Sequence, residues 1–205
     1  MLVIVDYDAG NLRSVTRAVE HAGGAPLISA DPQVVRQARA VILPGVGSAA
    51  QAMERLRQLG LDQALREVAS QGIPILGVCL GLQVLLEHSE EGGGAGTDCL
   101  GLLPGTVRRF APGPKVPHMG WNTVALRRQS PLFEGIADQS YFYFVHSYYA
   151  EPPADTVIGQ THYPTPFCSV MARDAIVATQ FHPEKSGPMG LRVYANWLRL
   201  AGLCS

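Results

Sequence analysis

Lysine is almost missing from this chain of 205 residues: it occurs only at positions 115 and 185, and arginine supplies the rest of the 16 basic side chains. Set against 17 acidic residues, this leaves a formal net charge of −1, without the basic excess on which nucleic-acid-binding domains rely. Cysteine is scarce as well, at 79, 99, 168 and 204, with no CxxC pair and no regular spacing. That argues against a disulfide framework and for a reducing compartment with at most one working thiol. No metal-ligand spacing is present, so no metal is expected and no cofactor is implied. The Gly92–Gly96 run is not a phosphate loop, since no strand precedes it and no Lys-Ser/Thr follows. The start, Met1–Asp6, lacks the basic region and cleavage site of a signal peptide. The apolar stretch Ile73–Leu86 is too short, and too interrupted by Gly and Gln, to span a bilayer. These absences predict a soluble, cytoplasmic protein with neither nucleic acid nor membrane as partner.

What is present has the texture of an ordinary globular protein, 47% hydrophobic and 16% charged, long enough for one domain with a full core. Apolar runs at Leu2–Asp6, Leu27–Ser29, Ala40–Leu43 and Ile73–Val78 read as buried strands. Helical spacing separates them, over Leu12–His21 with Asn11 as candidate N-cap, from Ser48 to Leu59, and over Leu61–Ser70. Alternating strand and helix predicts a parallel sheet covered on both faces, with ligands beyond the carboxyl ends of its strands. After residue 88 the helical period stops and short strand-like pieces follow: Thr106–Phe110, Asn122–Leu126, Tyr141–Val145, Thr156–Thr161, Phe167–Met171 and Ile176–Gln180. A helix from about Pro188 to Leu200 closes the chain. The expected fold is α/β: three α/β/α layers on a largely parallel, flavodoxin-like sheet, with antiparallel additions in the second half. All of it forms one domain, 1–205. Arg108-Arg109 and Arg127-Arg128 read as solvated edge-strand charges.

The chain is organised around Gly77-Val78-Cys79-Leu80-Gly81, the cysteine form of a Gly-x-Ser-x-Gly nucleophile elbow. A strand runs into Cys79 and a helix runs out, so the helix N-terminus favours a thiolate and offers N–H groups to an oxyanion. Read alone, the elbow suits a buried structural cysteine equally well. A nucleophile needs a base and the base an orienter. Of the six histidines, His21 and His88 sit at helix ends, but His182 follows the strand Ile176–Phe181 within Phe181-His182-Pro183-Glu184. In extended chain, residues two apart project together, so Glu184 can hold one imidazole nitrogen while the other faces Cys79. Pro183 stiffens that geometry. Leu80 N–H is one expected oxyanion donor, and the Gly45-Val46-Gly47 loop, at a neighbouring strand end, can supply the second through Val46 or Gly47. A surface turn and a tight glycine turn remain the plain alternatives for these two segments.

Three separated motifs, Pro44-Gly45-Val46-Gly47, Gly77-Val78-Cys79-Leu80-Gly81-Leu82-Gln83 and Phe181-His182-Pro183-Glu184, resemble the class I (triad) glutamine amidotransferases. Within that family the resemblance is closest to the glutaminase subunits of imidazole glycerol phosphate synthase. It is carried by Asp6–Val15, by Pro117-His118-Met119-Gly120-Trp121-Asn122 and by Phe144-Val145-His146-Ser147-Tyr148. The resemblance implies a Cys79–His182–Glu184 triad that hydrolyses L-glutamine through a thioester, with Gln83, Glu91 and the Ser147-Tyr148 backbone holding the substrate. It also implies a heterodimer with a (β/α)8-barrel cyclase that consumes the ammonia, since no barrel and no phosphate site is legible here. Asn11, Trp121 and Lys185 are the candidate interface residues.

The same triad would serve a glutaminase feeding another synthase, and only the partner-facing motifs separate the two. A stand-alone cysteine hydrolase would need an open cleft and activity without a partner, and a regulatory binding module would not need an intact triad. One departure stands out: where many relatives with other partners carry Gly-Gly after the proline, this chain has Gly45-Val46. A β-branched residue is poorly suited to positive φ, so Val46 is expected to bias the free chain toward an unformed oxyanion hole.

Overall fold

The computed structural model describes residues 1–8, 10–92, 94–111 and 115–204. Ala9 and Gly93, which fall within sequence stretches quoted above, lie outside them. The first half alternates strand and helix: β1 (Leu2–Val5), α1 (Leu12–His21), β2 (Pro26–Ser29), α2 (Pro32–Arg36), β3 (Ala40–Leu43), α3 (Ala49–Gln58), α4 (Leu61–Ser70), β4 (Ile75–Val78) and α5 (Leu80–Leu85). The second half is mostly strand: β5 (His88–Ser89), β6 (Thr97–Asp98), β7 (Thr106–Arg109), β8 (His118–Leu126), β9 (Ser140–His146), β10 (Tyr148–Glu151), β11 (Val157–His162), β12 (Pro166–Arg173) and β13 (Ile176–Thr179). Helix α6 (Gly187–Leu200) ends the fold.

The sheet runs β2-β1-β3-β4-β13-β12-β10-β7-β5-β6. Its first five strands are parallel, and the remainder is antiparallel except for the β5/β7 pair. Strand β11 pairs with β12 and hands over to β8, which forms a long ribbon with β9. Alternation along β1 shows why the sheet is covered on both faces. Val3 and Val5 join a core with Met53, Leu56 and Leu65 of α3 and α4. Leu2 and Ile4 join another with Val15 and Val19 of α1 and with Tyr194 and Trp197 of α6. Period two in the strand meets period 3.6 in the helices on either side.

Several local details differ from expectation, each for a visible reason. Asn11 sits at the N-cap of α1, but in the left-handed conformation (φ 62°) and without a side-chain cap bond. Its amide is turned elsewhere, as shown below. Ser48 does cap α3, its Oγ accepting from Gln51 N at 3.3 Å. Helix α2 was not anticipated, although Asp31 caps it (Oδ1 from Gln33 N, 2.8 Å) and Pro32 opens it. His88 lies on β5 rather than in a helix tail, and pairs with Asp98. Strand β7 is not an edge: it lies between β10 and β5, and Arg108 bridges Glu90 and Glu151 rather than standing free in solvent.

Candidate active site

Strands β3, β4 and β13 lie side by side and parallel, so the segments after their carboxyl ends converge. Register does the rest. Val78 is opposite Thr179, and Cys79 N donates to Thr179 O at 2.8 Å, which brings Cys79 and the Gln180–His182 segment out together. Cys79 has φ 55° and ψ −106°. A non-glycine residue held there costs about 1–3 kcal/mol, a strain the surroundings must over-determine. The flanking glycines show how: a Cβ on Gly81 would stand 1.8 Å from Leu43 O, and one on Gly77 would stand 2.5 Å from Leu85 Cδ1. Any side chain at 81 would therefore push β3 away from the turn.

His182 is buried and extended (φ −99°, ψ 98°), held through its N–H by Tyr143 O at 2.9 Å and through its carbonyl by Ser186 Oγ at 2.6 Å. The chain does not remain extended beyond it. Pro183–Lys185 form one 3₁₀ turn, which folds the Glu184 carboxylate back onto the imidazole, Oε1 to Nδ1 at 2.7 Å. The pairing expected from strand alternation is thus made by a turn. Glu184 has no exposed side-chain surface. A carboxylate so placed needs donors, and two others supply them: Asn11 Nδ2 at 2.6 Å to the same oxygen, and Tyr194 Oη at 3.5 Å to the other. Burial alone would push the His182 imidazole down. The Cys79 sulfur and the Glu184 carboxylate outweigh it and raise its pKa to about 10. His182 Nε2 is buried beside the Cys79 sulfur, which raises the imidazole pKa through its charge and through a hydrogen bond that is not well aligned.

Beside the sulfur opens a cleft of about 310 Å³. It gathers Cys79, His182, Leu80, Val46, Gly47, Gln83, Glu91, Ser147 and Tyr148, and adds Pro117, Val145 and His146. Glu91 is tied to the start of α3, its Oε2 accepting from Ala49 N at 2.6 Å. Leu80 N–H, one of the two expected oxyanion donors, is already engaged, donating to Gly45 O at 3.4 Å. The left-handed residue of this loop is Gly47 (φ 98°) and not Val46. Tyr7 packs beneath the loop, its hydroxyl donating to Pro44 O at 2.7 Å, and a Cβ on Gly45 would lie 2.3 Å from that hydroxyl oxygen.

Two further arms meet at Tyr148 O. In one, Asn122 Nδ2 lies 3.1 Å from His118 Nε2, His118 Nδ1 lies 3.0 Å from His146 Nε2, and His146 Nδ1 lies 2.7 Å from Tyr148 O. The amide at one end must donate and the carbonyl at the other must accept. Both rings are therefore neutral and each carries its proton on Nδ1. Burial lowers their pKa values, His118 to about 4 and His146 to about 3. In the other arm, Gln83 Nε2 donates to Tyr148 O (3.0 Å) and to Gln180 Oε1 (3.1 Å), and Gln180 Nε2 lies 3.7 Å from Cys79 Sγ. Gln180 had not been singled out from sequence. The signal was there, since the alternation that pairs residues two apart also runs backwards from His182.

Of the three interface candidates, Trp121 and Lys185 share one patch around Tyr143, and Asn11 turns inward. Asn11 reaches Glu184, Trp121 is 56% exposed with its ring edge-to-face against Tyr143 (6.0 Å, 78°), and Lys185 Nζ stands 5.9 Å above the same Tyr143 ring. Tyr143, missed in the sequence, joins this patch to the triad through its carbonyl bond to His182.

The known proteins that this chain resembles agree with one another. The imidazole glycerol phosphate synthase subunit HisH of Dehalococcoides mccartyi is 48% identical over 202 residues, covering 98% of each chain. The subunit of the same name from Herpetosiphon aurantiacus is 50% identical, over 98% of this chain and 95% of that protein. A solved glutamine amidotransferase superposes with a TM-score of 0.76 over 98% of both chains, at 20% identity, which speaks for the fold alone. The family of class-I glutamine amidotransferases matches residues 3–200. With its elbow cysteine, its buried histidine–carboxylate pair and a match across nearly its whole length, the chain belongs to the class-I glutamine amidotransferase family.

Proposed function

We propose that this chain, acting as one domain, is the glutaminase subunit of an imidazole glycerol phosphate synthase. It hydrolyses L-glutamine to glutamate and ammonia. The ammonia passes to a (β/α)8-barrel cyclase partner that makes imidazole glycerol phosphate and aminoimidazole carboxamide ribonucleotide in L-histidine biosynthesis. The observation that carries this reading is near-half identity to HisH subunits across 98% of the chain. A cytoplasmic setting suits the four free thiols, and no helix among the described residues is long and apolar enough to cross a membrane.

The proposed chemistry follows from the charges. The raised His182 pKa favours an imidazolium, a positive charge placed to stabilise the sulfur as it attacks. Sγ attacks the side-chain amide carbon of glutamine, a C–S bond forms and the carbonyl oxygen becomes an oxyanion. His182 Nε2 gives its proton to the amide nitrogen, the C–N bond breaks, and ammonia leaves a thioester. Neutral His182 then takes a proton from water as it attacks the thioester. The C–S bond breaks, the product leaves and loses its new carboxyl proton to solvent as glutamate, and thiolate and imidazolium are restored. Glu184 keeps Nδ1 as the donor throughout, which aims Nε2 at the reaction.

The oxyanion step is where the free chain is deficient. Gly45 O occupies Leu80 N–H. Turning the Gly45–Val46 peptide would free that donor and point Val46 N–H into the cleft, supplying two donors of the kind whose loss costs about 10²–10³-fold in kcat. On this reading the isolated subunit is a poor glutaminase, and partner with its ligand shifts the loop. The test is glutamate release from glutamine by the purified chain alone, then with the barrel cyclase and its ribonucleotide substrate. Slow release alone and a large rise with both is the expected result. Fast release alone would refute the gating, and no release in either setting would refute the glutaminase reading with this partner.

A further inference from the structure

Four residues separate the β13 backbone from Glu184, and two of them, Gln180 and His182, have side chains turned toward the cysteine sulfur. Phe181 between them points the other way, stacked on Phe142 at 4.1 Å inside the core. Gln180 has no exposed surface. Its orientation is fixed by its neighbours. Gln83 Nε2 is a donor and sits 3.1 Å from one end of the Gln180 amide, so that end is the oxygen. The NH₂ end must then face Cys79 Sγ, 3.7 Å away. Gln83 is oriented in turn, because its NH₂ also meets the Tyr148 carbonyl at 3.0 Å. Flipping either amide by ~180° breaks at least one of the three contacts.

We propose that Gln180 is a further catalytic residue: its side-chain amide donates to Cys79 Sγ and stabilises the thiolate, with Gln83 and the Tyr148 carbonyl holding that donor in place. The inference rests on Cys79 being the nucleophile. The sulfur carries negative charge twice in the cycle, before it attacks and when it leaves the thioester, and at both points an N–H aimed at it lowers the energy of the charged form. His182 cannot serve continuously in this way. It gives up its proton to ammonia, and its Nε2 makes no aligned bond to sulfur. Gln180 does not titrate, so its donor persists through every protonation state of the pair. Both arms of the network end by donating into Tyr148 O, so the arrangement is a clamp on orientation and not a route for protons.

The test reads the thiolate without asking for glutamine turnover. The rate of iodoacetamide alkylation at Cys79 is followed against pH in the isolated chain, with the modified peptide identified by mass so that Cys99, Cys168 and Cys204 do not contribute. In Gln180→Met and Gln180→Leu, which remove the donor without adding charge, the midpoint should rise by about one pH unit, the size of a lost charge-assisted hydrogen bond. Folded variants with an unchanged midpoint would overturn the proposal. The native chain gives a second readout that needs no Gln180 variant. The side-chain amide proton resonances of Gln180 should shift with the midpoint of Cys79 alkylation, and should stop shifting there in Cys79→Ala. Resonances indifferent to that titration would overturn it too. If alkylation depends on Gln180 but glutamine is never hydrolysed, the proposed function fails and this contact stands. If glutamine is hydrolysed and alkylation ignores Gln180, the reverse holds.

Discussion

Glu184 is a carboxylate with no exposed side-chain surface, facing donors from three different parts of the chain: His182, Asn11 and Tyr194. Replacing it by Gln keeps the volume and lets the amide oxygen take the place that His182 Nδ1 and Asn11 Nδ2 share, with the NH₂ toward Tyr194 Oη, but it removes the negative charge. The imidazole keeps an acceptor at Nδ1 but loses the charge that favours its protonated form. Glu184→Gln should lower kcat by about 10³–10⁴-fold with little change in KM, as for the orienting carboxylate of other triads, measured as steady-state glutamate release with the partner present. The pairing of 182 with 184 was legible in the sequence because the two are neighbours there, though a 3₁₀ turn and not strand alternation makes the contact. The part played by Asn11 was not legible. An Asn ahead of a helix reads as a cap, and nothing local reveals that a left-handed backbone turns its amide toward a residue 173 positions away.

The elements separate in the same manner. Strands β1, β3, β4 and β13 could be read from their apolar runs, since burial on both faces leaves a continuous signal. Strand β10 and the two-residue β5 and β6 could not, because they are short, mixed in polarity and defined by their partners. The β8–β9 ribbon was half seen: β8 begins at His118, four residues earlier than expected, and that extension brings His118 opposite His146 at the end of β9. Its consequence is a pH effect on stability. Unfolded histidines titrate near 6.5, whereas the folded pair does so at about 4 and about 3. Between those values the unfolded histidines bind protons that the native pair does not, so the stability contributed by this pair is full above about pH 6.5 and declines as pH falls toward 4. Thermal midpoints should drop over that window in the native chain. They should drop less in a His118→Asn, His146→Gln double variant, even though it is less stable at neutral pH. The Pro44–Gly47 loop makes a second test at this scale. Val46→Gly removes the β-branched restraint on the peptide that occupies Leu80 N–H, and glutamate release without a partner should rise several-fold. Unchanged basal turnover would mean that the side chain at 46 does not set the loop.

For the whole molecule, the question is how a surface event could reach a buried triad. The ribbon joins the main sheet through β11 by only two residue pairs, Gly159 with Leu126 and Gln160 with Ala125. It nevertheless touches the chemistry at both faces: Tyr143 O holds His182 N–H, and His146 holds Tyr148 O. Outside stand Trp121, against the Tyr143 ring, and Lys185 above it, with Met119 (61% exposed) on the same strand as Trp121. An exposed aromatic anchor of this kind is where binding energy concentrates when a partner covers it. Trp121 packs on the Tyr143 ring, whereas His182 is held by the Tyr143 backbone carbonyl, so docking and chemistry should separate on its removal. Trp121→Ala should weaken the complex with the cyclase by about 10–100-fold, roughly 1.4–2.8 kcal/mol, by isothermal titration calorimetry. Alkylation of Cys79 in the free chain should be unchanged, and full activation should return at saturating cyclase. Unaltered affinity would place the interface elsewhere. Lost activation at saturation would instead mean that the indole transmits the signal as well as docking the partner.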